Sequence, residues 1–250
     1  MKIWKHAKVA LAVGVLGACA SAAQAAVTLQ IRSITEGVTL FCDSTNFVAC
    51  HSGFGLLGGG NGLSFNGTVG GFTVFTTTFS SNVPGTPLAA TLNGSTTEVF
   101  RSGAGQGVLE IDLRGFGYTA PAGEAKFLTG SASLTSSDSS FGVGDQVLNR
   151  FFVNADNAVP TLAGGDPNLI CTMSIVANTS CNAGSTVWTD PLGGTFSMRD
   201  LHVITLSEGK IVNTTISGTV RAVPEPMTLS LVGLGLLGAA AAARRRSTKA

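Results

Sequence analysis

Few residues in this chain have both the type and the spacing for chemistry. Glu110 and Asp112 stand two apart in an alternating segment, so their carboxylates share one strand face. Two carboxylates can do general acid–base work, but they need a separation that one strand does not set. The competing reading is a solvated outer face, and the sequence favours it. His51 and His202 are the histidines of the region between the terminal apolar runs. A Ser-His-Asp device would need one of them beside a strained nucleophile, and no G-x-S-x-G elbow occurs there. Catalytic residues: none are assigned, and the chain is expected not to be an enzyme.

Asp138, Asp145, Asp156 and Asp166 lie in Ser/Gly/Asn-rich segments, the oxygen-rich setting calcium takes. The EF-hand spacing and nonapeptide repeats are absent, and plain turn chemistry explains these residues equally well. Calcium therefore stands as an alternative, and no cofactor is assigned. Cys42, Cys50, Cys171 and Cys181 make an even set in a chain with an export signal, which points to disulfides. Three pairings are open. The local one, Cys42 with Cys50 and Cys171 with Cys181, is the simplest, because each pair brackets a Gly/Asn/Ser-rich stretch. A metal site using His51 or His202 is the rival, but C-x7-C and C-x9-C fit no zinc knuckle. No metal ligand is assigned.

Between the terminal runs stand one tryptophan, Trp188, and one tyrosine, Tyr118, and that scarcity weakens a lectin reading. Trp188 is the single candidate for an exposed sugar-stacking platform, against a role in core or loop packing that the sequence favours. Trp188 falls between Cys171 and Pro191, a stretch expected to be loop. Sequon-like triplets begin at Asn66, Asn93, Asn178 and Asn213, a weak pattern.

The elements that must position these residues read as strands. Val27 to Arg32 and Leu109 to Arg114 alternate apolar and polar. Phe72 to Thr76 and Ile211 to Val220 are rich in β-branched residues. Period two with Val, Ile, Thr and Phe marks half-buried strands. GLLGGGNG, SNVPGTP, PAGE, TLAGGDPN and DPLGG supply turns between them. Nine or ten strands are expected over residues 26–222. One buried face per strand needs a second layer, so the predicted fold is all-β, an antiparallel β-sandwich of jelly-roll type. All 14 phenylalanines fall here, and most should be core. Gly103 to Gly107 reads as a loop or a hinge.

The ends differ from this body. MKIWKHAK, an apolar VALAVGVLGA and a small-residue CASAAQA follow the order of a signal peptide, residues 1–25, with cleavage after Ala25 in Ala23-Gln24-Ala25. Leu16-Gly17-Ala18-Cys19 offers a lipoprotein route at Cys19 as the alternative. At the other end, Met227 to Ala243 is an uncharged run of helix-spanning character, ~25 Å long as a helix. Arg244, Arg245 and Arg246 follow and act as a membrane stop. Val223-Pro224-Glu225-Pro226 precedes the run, and its prolines keep it out of helix and sheet.

Without the seven basic residues that flank the two apolar runs, 8 basic residues remain against 14 acidic ones. That balance excludes nucleic acid as a partner, because phosphate neutralisation needs clustered Lys and Arg.

Taken together, VPEP, the Gly/Leu-rich run and the arginine cluster resemble the PEP-CTERM sorting signal read by exosortases, over residues 223–250 with the core of the match at 223–246. The resemblance implies processing near Pro224, Glu225 and Pro226. It implies exosortase and signal peptidase as partners, transient inner-membrane anchoring, and release to the cell surface or beyond. It also implies a structural or adhesive role with exopolysaccharide or biofilm matrix. A carbohydrate-binding module and an extracellular hydrolase are the alternatives.

Overall fold

The computed structural model describes residues 26–57, 61–86, 88–121, 125–135, 142–161, 168–174, 179–189 and 194–222. The segments expected as leader and sorting tail, with Cys19, Ala23, Ala25, Pro224 to Pro226, the span 227–243 and Arg244 to Arg246, lie outside the described residues. Asp138, Asp166 and Asn178 lie outside them too, as do the side chains of Cys171, Cys181 and Trp188. Among the described residues no helix is long and apolar enough to cross a membrane.

The described residues of the body form thirteen strands: β1 (Val27–Ser33), β2 (Val38–Asp43), β3 (Phe54–Leu57), β4 (Gly62–Val69), β5 (Phe72–Ser81), β6 (Ala89–Arg101), β7 (Gly107–Tyr118), β8 (Ala125–Thr135), β9 (Gln146–Asn154), β10 (Asn168–Ser174), β11 (Thr179–Thr189), β12 (Phe196–Leu206) and β13 (Ile211–Ala222). They form two antiparallel sheets, β10-β9-β12-β7-β1-β2 and β11-β8-β13-β6-β5-β4-β3. The winding follows a simple rule. β6 pairs with β13, β7 with β12, β8 with β11 and β9 with β10, and these pairs alternate between the sheets. That is a long hairpin folded over on itself, the jelly-roll path. β1 and β2 extend one sheet, and the β3–β5 meander extends the other.

More strands form than alternation suggests. The extra ones include β10 and β11, which run through a stretch expected as loop and carry Cys171, Cys181 and Trp188. Their Ser, Asn, Cys and Gly content hides them from a propensity reading, and pairing to β9 and β8 decides the outcome.

Alternation fixes the core. Val27, Leu29 and Ile31 of β1 meet Leu109, Ile111 and Leu113 of β7 in one layer, and Val212, Ile216 and Val220 of β13 face them from the other side of a common cluster. Phe65, Phe72, Phe79, Phe151 and Phe196 are buried in it, each contributing roughly 1.5–3 kcal/mol. Phe41 and Phe75, by contrast, are exposed.

Gly103 to Gly107 link β6 to β7 across the two sheets. The buried Arg101 guanidinium occupies the space there: a Cβ on Gly103 or Gly107 would stand 2.7 or 2.5 Å from it. Arg101 also lies 4.6 Å over the Phe72 ring and pairs with Glu36 at 2.6 Å. The connection is therefore wrapped on a charged side chain instead of acting as a hinge. The Ser33 hydroxyl first, and Arg101 after it, hold the Glu36 carboxyl below its usual range, against a partial loss of hydration.

Cys42 and Cys50 are joined in a disulfide. The bridge closes a 3-10 segment, Ser44–Ala49, capped by the Asp43 carboxylate on the Thr45 N–H at 2.8 Å. The segment carries His51 back to the open edge of β2. There the His51 amide donates to the Phe41 carbonyl at 3.4 Å, and Nδ1 lies 3.2 Å from the Phe41 N–H. His51 thus covers an edge that would otherwise offer free backbone groups.

Candidate functional site

Glu110 and Asp112 do share the outer face of β7, but Asp112 is not solvated. It is 1% exposed. Arg199 of β12, in register with Arg114, grips it with two nitrogens, Nε on Oδ1 at 2.8 Å and Nη2 on Oδ2 at 3.0 Å. Arg114 adds Nε on Oδ2 at 3.0 Å. Arg199 in turn donates to the Pro160 carbonyl at 3.0 Å and lies 5.5 Å over the Phe152 ring. The chain leaving β9 therefore reaches this face at Pro160. Charge-assisted, two-pronged bonds from two arginines hold the Asp112 carboxylate in place. Glu110 stays half-buried in register with Arg32 and Val203.

His202 points inward. On β12, Met198, Asp200, His202, Ile204 and Leu206 alternate into the sandwich. His202 sits in register with Asn149 of β9, and Asp200 with Phe151. Facing that second pair are two neighbouring glycines of the opposite sheet, Gly130 and Gly218. A Cβ on Gly218 would stand 2.7 Å from the Asp200 carboxylate, and one on Gly130 would stand 2.3 Å from the Phe151 ring. The glycines are the room these side chains fill.

Both His202 ring nitrogens, both Asn149 amide atoms, Asp200 Oδ2 and Thr214 Oγ1 make no protein hydrogen bond. Loss of hydration lowers the His202 pKa to about 3 and keeps the ring neutral. Burial pushes the Asp200 carboxyl well above its ordinary value, opposed by a hydrogen bond with the Gly218 backbone and reinforced by the Asp112 charge. Tyr118 is no sugar platform. It is buried, stacks on Phe196 at 5.3 Å, and bonds Ser81 at 2.7 Å and the Thr91 carbonyl at 3.1 Å. Burial first raises its pKa.

Asp145 receives the Gly142 N–H at 2.8 Å, the Ser207 hydroxyl at 2.8 Å and the Gln106 amide at 3.2 Å, which makes it a loop anchor. Asp156 is exposed on the turn after β9. Among the described residues no three His, Cys, Asp or Glu side chains come together as a metal-binding group.

The feature with binding geometry lies on the outer face of the seven-stranded sheet, and the sequence reading missed it. A cleft of about 590 Å³ opens over β8 and β13, within the range of small-ligand pockets. Its polar lining is Asn93, Ser131, Ser133, Ser180, Thr215 and Ser217. Gly94, Ala132 and Ile216 also line it. Two register breaks flank it, one in the β6–β13 ladder opposite Thr214 to Ile216 and one in the β11–β8 ladder between Asn182 and Ser185. Such bulges bend a strand and increase its local twist, which makes a concavity on an otherwise even face. Ser133 and Thr215 bond to each other, and Ser217 donates to Asn93 Oδ1 at 2.6 Å. Among the described residues the lining carries no titratable side chain, a set suited to orienting a neutral polar ligand.

Comparison with known proteins adds one firm finding. The PEP-CTERM protein-sorting motif matches residues 222–246. No curated protein matches the chain. Among solved structures, TmCBM61 in complex with beta-1,4-galactotriose is 7% identical, with a TM-score of 0.29, over 60% of this chain and 88% of that one. The infectious bursal disease virus VP2 subviral particle is 10% identical, with a TM-score of 0.12, over 80% of this chain and 65% of that one. At these scores neither likeness bears on fold or function.

Proposed function

We propose, from the sorting motif at residues 222–246, that this chain is delivered by exosortase-type processing to the cell surface or the surrounding matrix. Its body works there by contact, in a structural or adhesive role beside exopolysaccharide. The motif carries the reading.

The fold is compatible with loss of the tail. β13 is paired on both sides to its end, with Arg221 opposite Ala89 and Ala222 opposite Lys126. The strand ends where the matched motif begins, so cutting at Pro224, Glu225 or Pro226 removes no residue of any described strand. Two further observations favour contact over catalysis. Asp112 is spent on two arginines, and His202 is sealed in the core at 1% exposure.

Replacing Glu225 tests the delivery step. In the producing cell, Glu225→Ala should stay in the inner membrane near full length, while the unaltered chain appears outside, shortened. If the variant reaches the surface at the normal mature size, the reading is wrong.

A further inference from the structure

The cleft between the two bulges has the chemistry of a binding site that neither the sorting motif nor the strand pattern assigns. The side chains on its outer face are hydroxyls and one amide, while Ala132 and Ile216 turn their side chains into the core beneath it. After the Ser133–Thr215 and Ser217–Asn93 bonds form, the Asn93 NH2 and the Ser131 and Ser180 hydroxyls remain in the cleft wall with no described partner. Hydroxyls donate and accept in either direction, and the amide adds two donors. Such a set matches a ligand whose own groups are hydroxyls.

Charge narrows the ligand class. On this sheet Glu98, Arg101, Lys126 and Arg221 stand toward strand ends, and none lines the cleft. The chain between the two apolar runs is acidic in balance. An anionic ligand would gain no ion pair in the cleft and would meet a repulsive field.

We propose that this cleft binds a neutral glycan segment through Asn93, Ser131, Ser180 and Ser217. The proposal rests on the reading of the body as a surface contact module and gives that contact a place and a ligand class. It uses hydroxyl recognition in place of an aromatic platform, so its affinity is modest and depends on several small contacts.

The test is calorimetric titration of the purified full-length chain with cellotetraose, maltotetraose and mannotetraose, with an oligouronate of equal length as the charged control. At least one neutral tetrasaccharide should bind, and the oligouronate should bind more weakly. Ser131 is exposed on β8, so Ser131→Trp fills the cleft without touching the core. It should weaken binding by about tenfold or more, and Ser131→Ala by about two- to fivefold. Thr39→Trp, exposed on the other sheet, should change nothing. Thermal melts of the variants should match the parent, which separates lost binding from lost folding.

The proposal is overturned if no neutral tetrasaccharide binds, if Ser131→Trp binds as the parent does, or if the oligouronate binds best. Sorting is read separately. A chain processed through Glu225 that binds none of the sugars sinks the cleft alone, and one that binds sugar but is never processed sinks the sorting reading alone.

Discussion

The two sheets share a backbone plan and carry opposite chemistry. The six-stranded sheet holds ionisable groups on both faces: charged Asp112 outside, clamped by Arg114 and Arg199, and Asp200 with His202 inside, where burial favours their neutral forms. The centre of the seven-stranded sheet is neutral, with glycines inward and hydroxyls outward. A buried charge must be enclosed by partners, so the charged face is covered by the chain after β9. A hydroxyl stays satisfied by a neighbour or by water, so the neutral face can remain open.

Breaking the clamp should have the largest effect. Asp112→Ala leaves two largely buried arginines without their anion and should cost about 2–4 kcal/mol in urea unfolding. A loss as small as that of a surface substitution would mean the two faces do not differ as described.

Removing the Cys42–Cys50 bridge, which tethers the β2 edge, should cost about 2–3 kcal/mol for so short a loop. The comparison of Cys42→Ala/Cys50→Ala with the parent checks this by the same unfolding curve.

The inner pair should show in the pH dependence of stability. His202 has a lowered folded pKa, so below 6.5 the unfolded chain binds a proton the fold refuses, and stability falls as pH drops toward about 3. Asp200 has a raised folded pKa, so above its ordinary value the fold keeps a proton the unfolded chain loses, and stability falls as pH rises. Above about pH 4 the Asp200 slope opposes the His202 slope, so the parent rises less steeply with pH than His202 alone would make it. Asp200→Asn should uncover a rise with pH approaching ~1.4 kcal/mol per unit, and His202→Leu should uncover a fall. Unfolding at stepped pH reads both, and identical slopes in all three proteins would contradict the assignment.

The smallest effect belongs to the neutral face. Ser133→Ala loses one hydroxyl pair with Thr215 and should cost no more than ~1 kcal/mol.

Alternation made much of this fold legible, because segments such as Val27 to Arg32 put every apolar residue on one side. The Cys42–Cys50 bridge belongs to the local pairing, read as the simplest of three because each pair brackets a Gly/Asn/Ser-rich stretch. Asp112 was not, because the arginine that buries it stands 87 residues away. Asp200 and His202 were hidden for another reason. In β12 both alternating sets mix polar and apolar residues, Met198, Asp200, His202 and Ile204 against Arg199, Leu201, Val203 and Thr205, so parity alone does not say which set turns inward. The cleft depends on two register breaks in separate ladders, and Asn93-Gly94-Ser95 reads in sequence only as a sequon.

The central claim is that the body is exported and the tail is removed once it has served for delivery. The intact mass of the protein recovered from the producing cell tests it most directly. The account predicts a chain that begins at Ala26 and ends within Pro224, Glu225 or Pro226. A mass that retains the apolar run and its three arginines would contradict it.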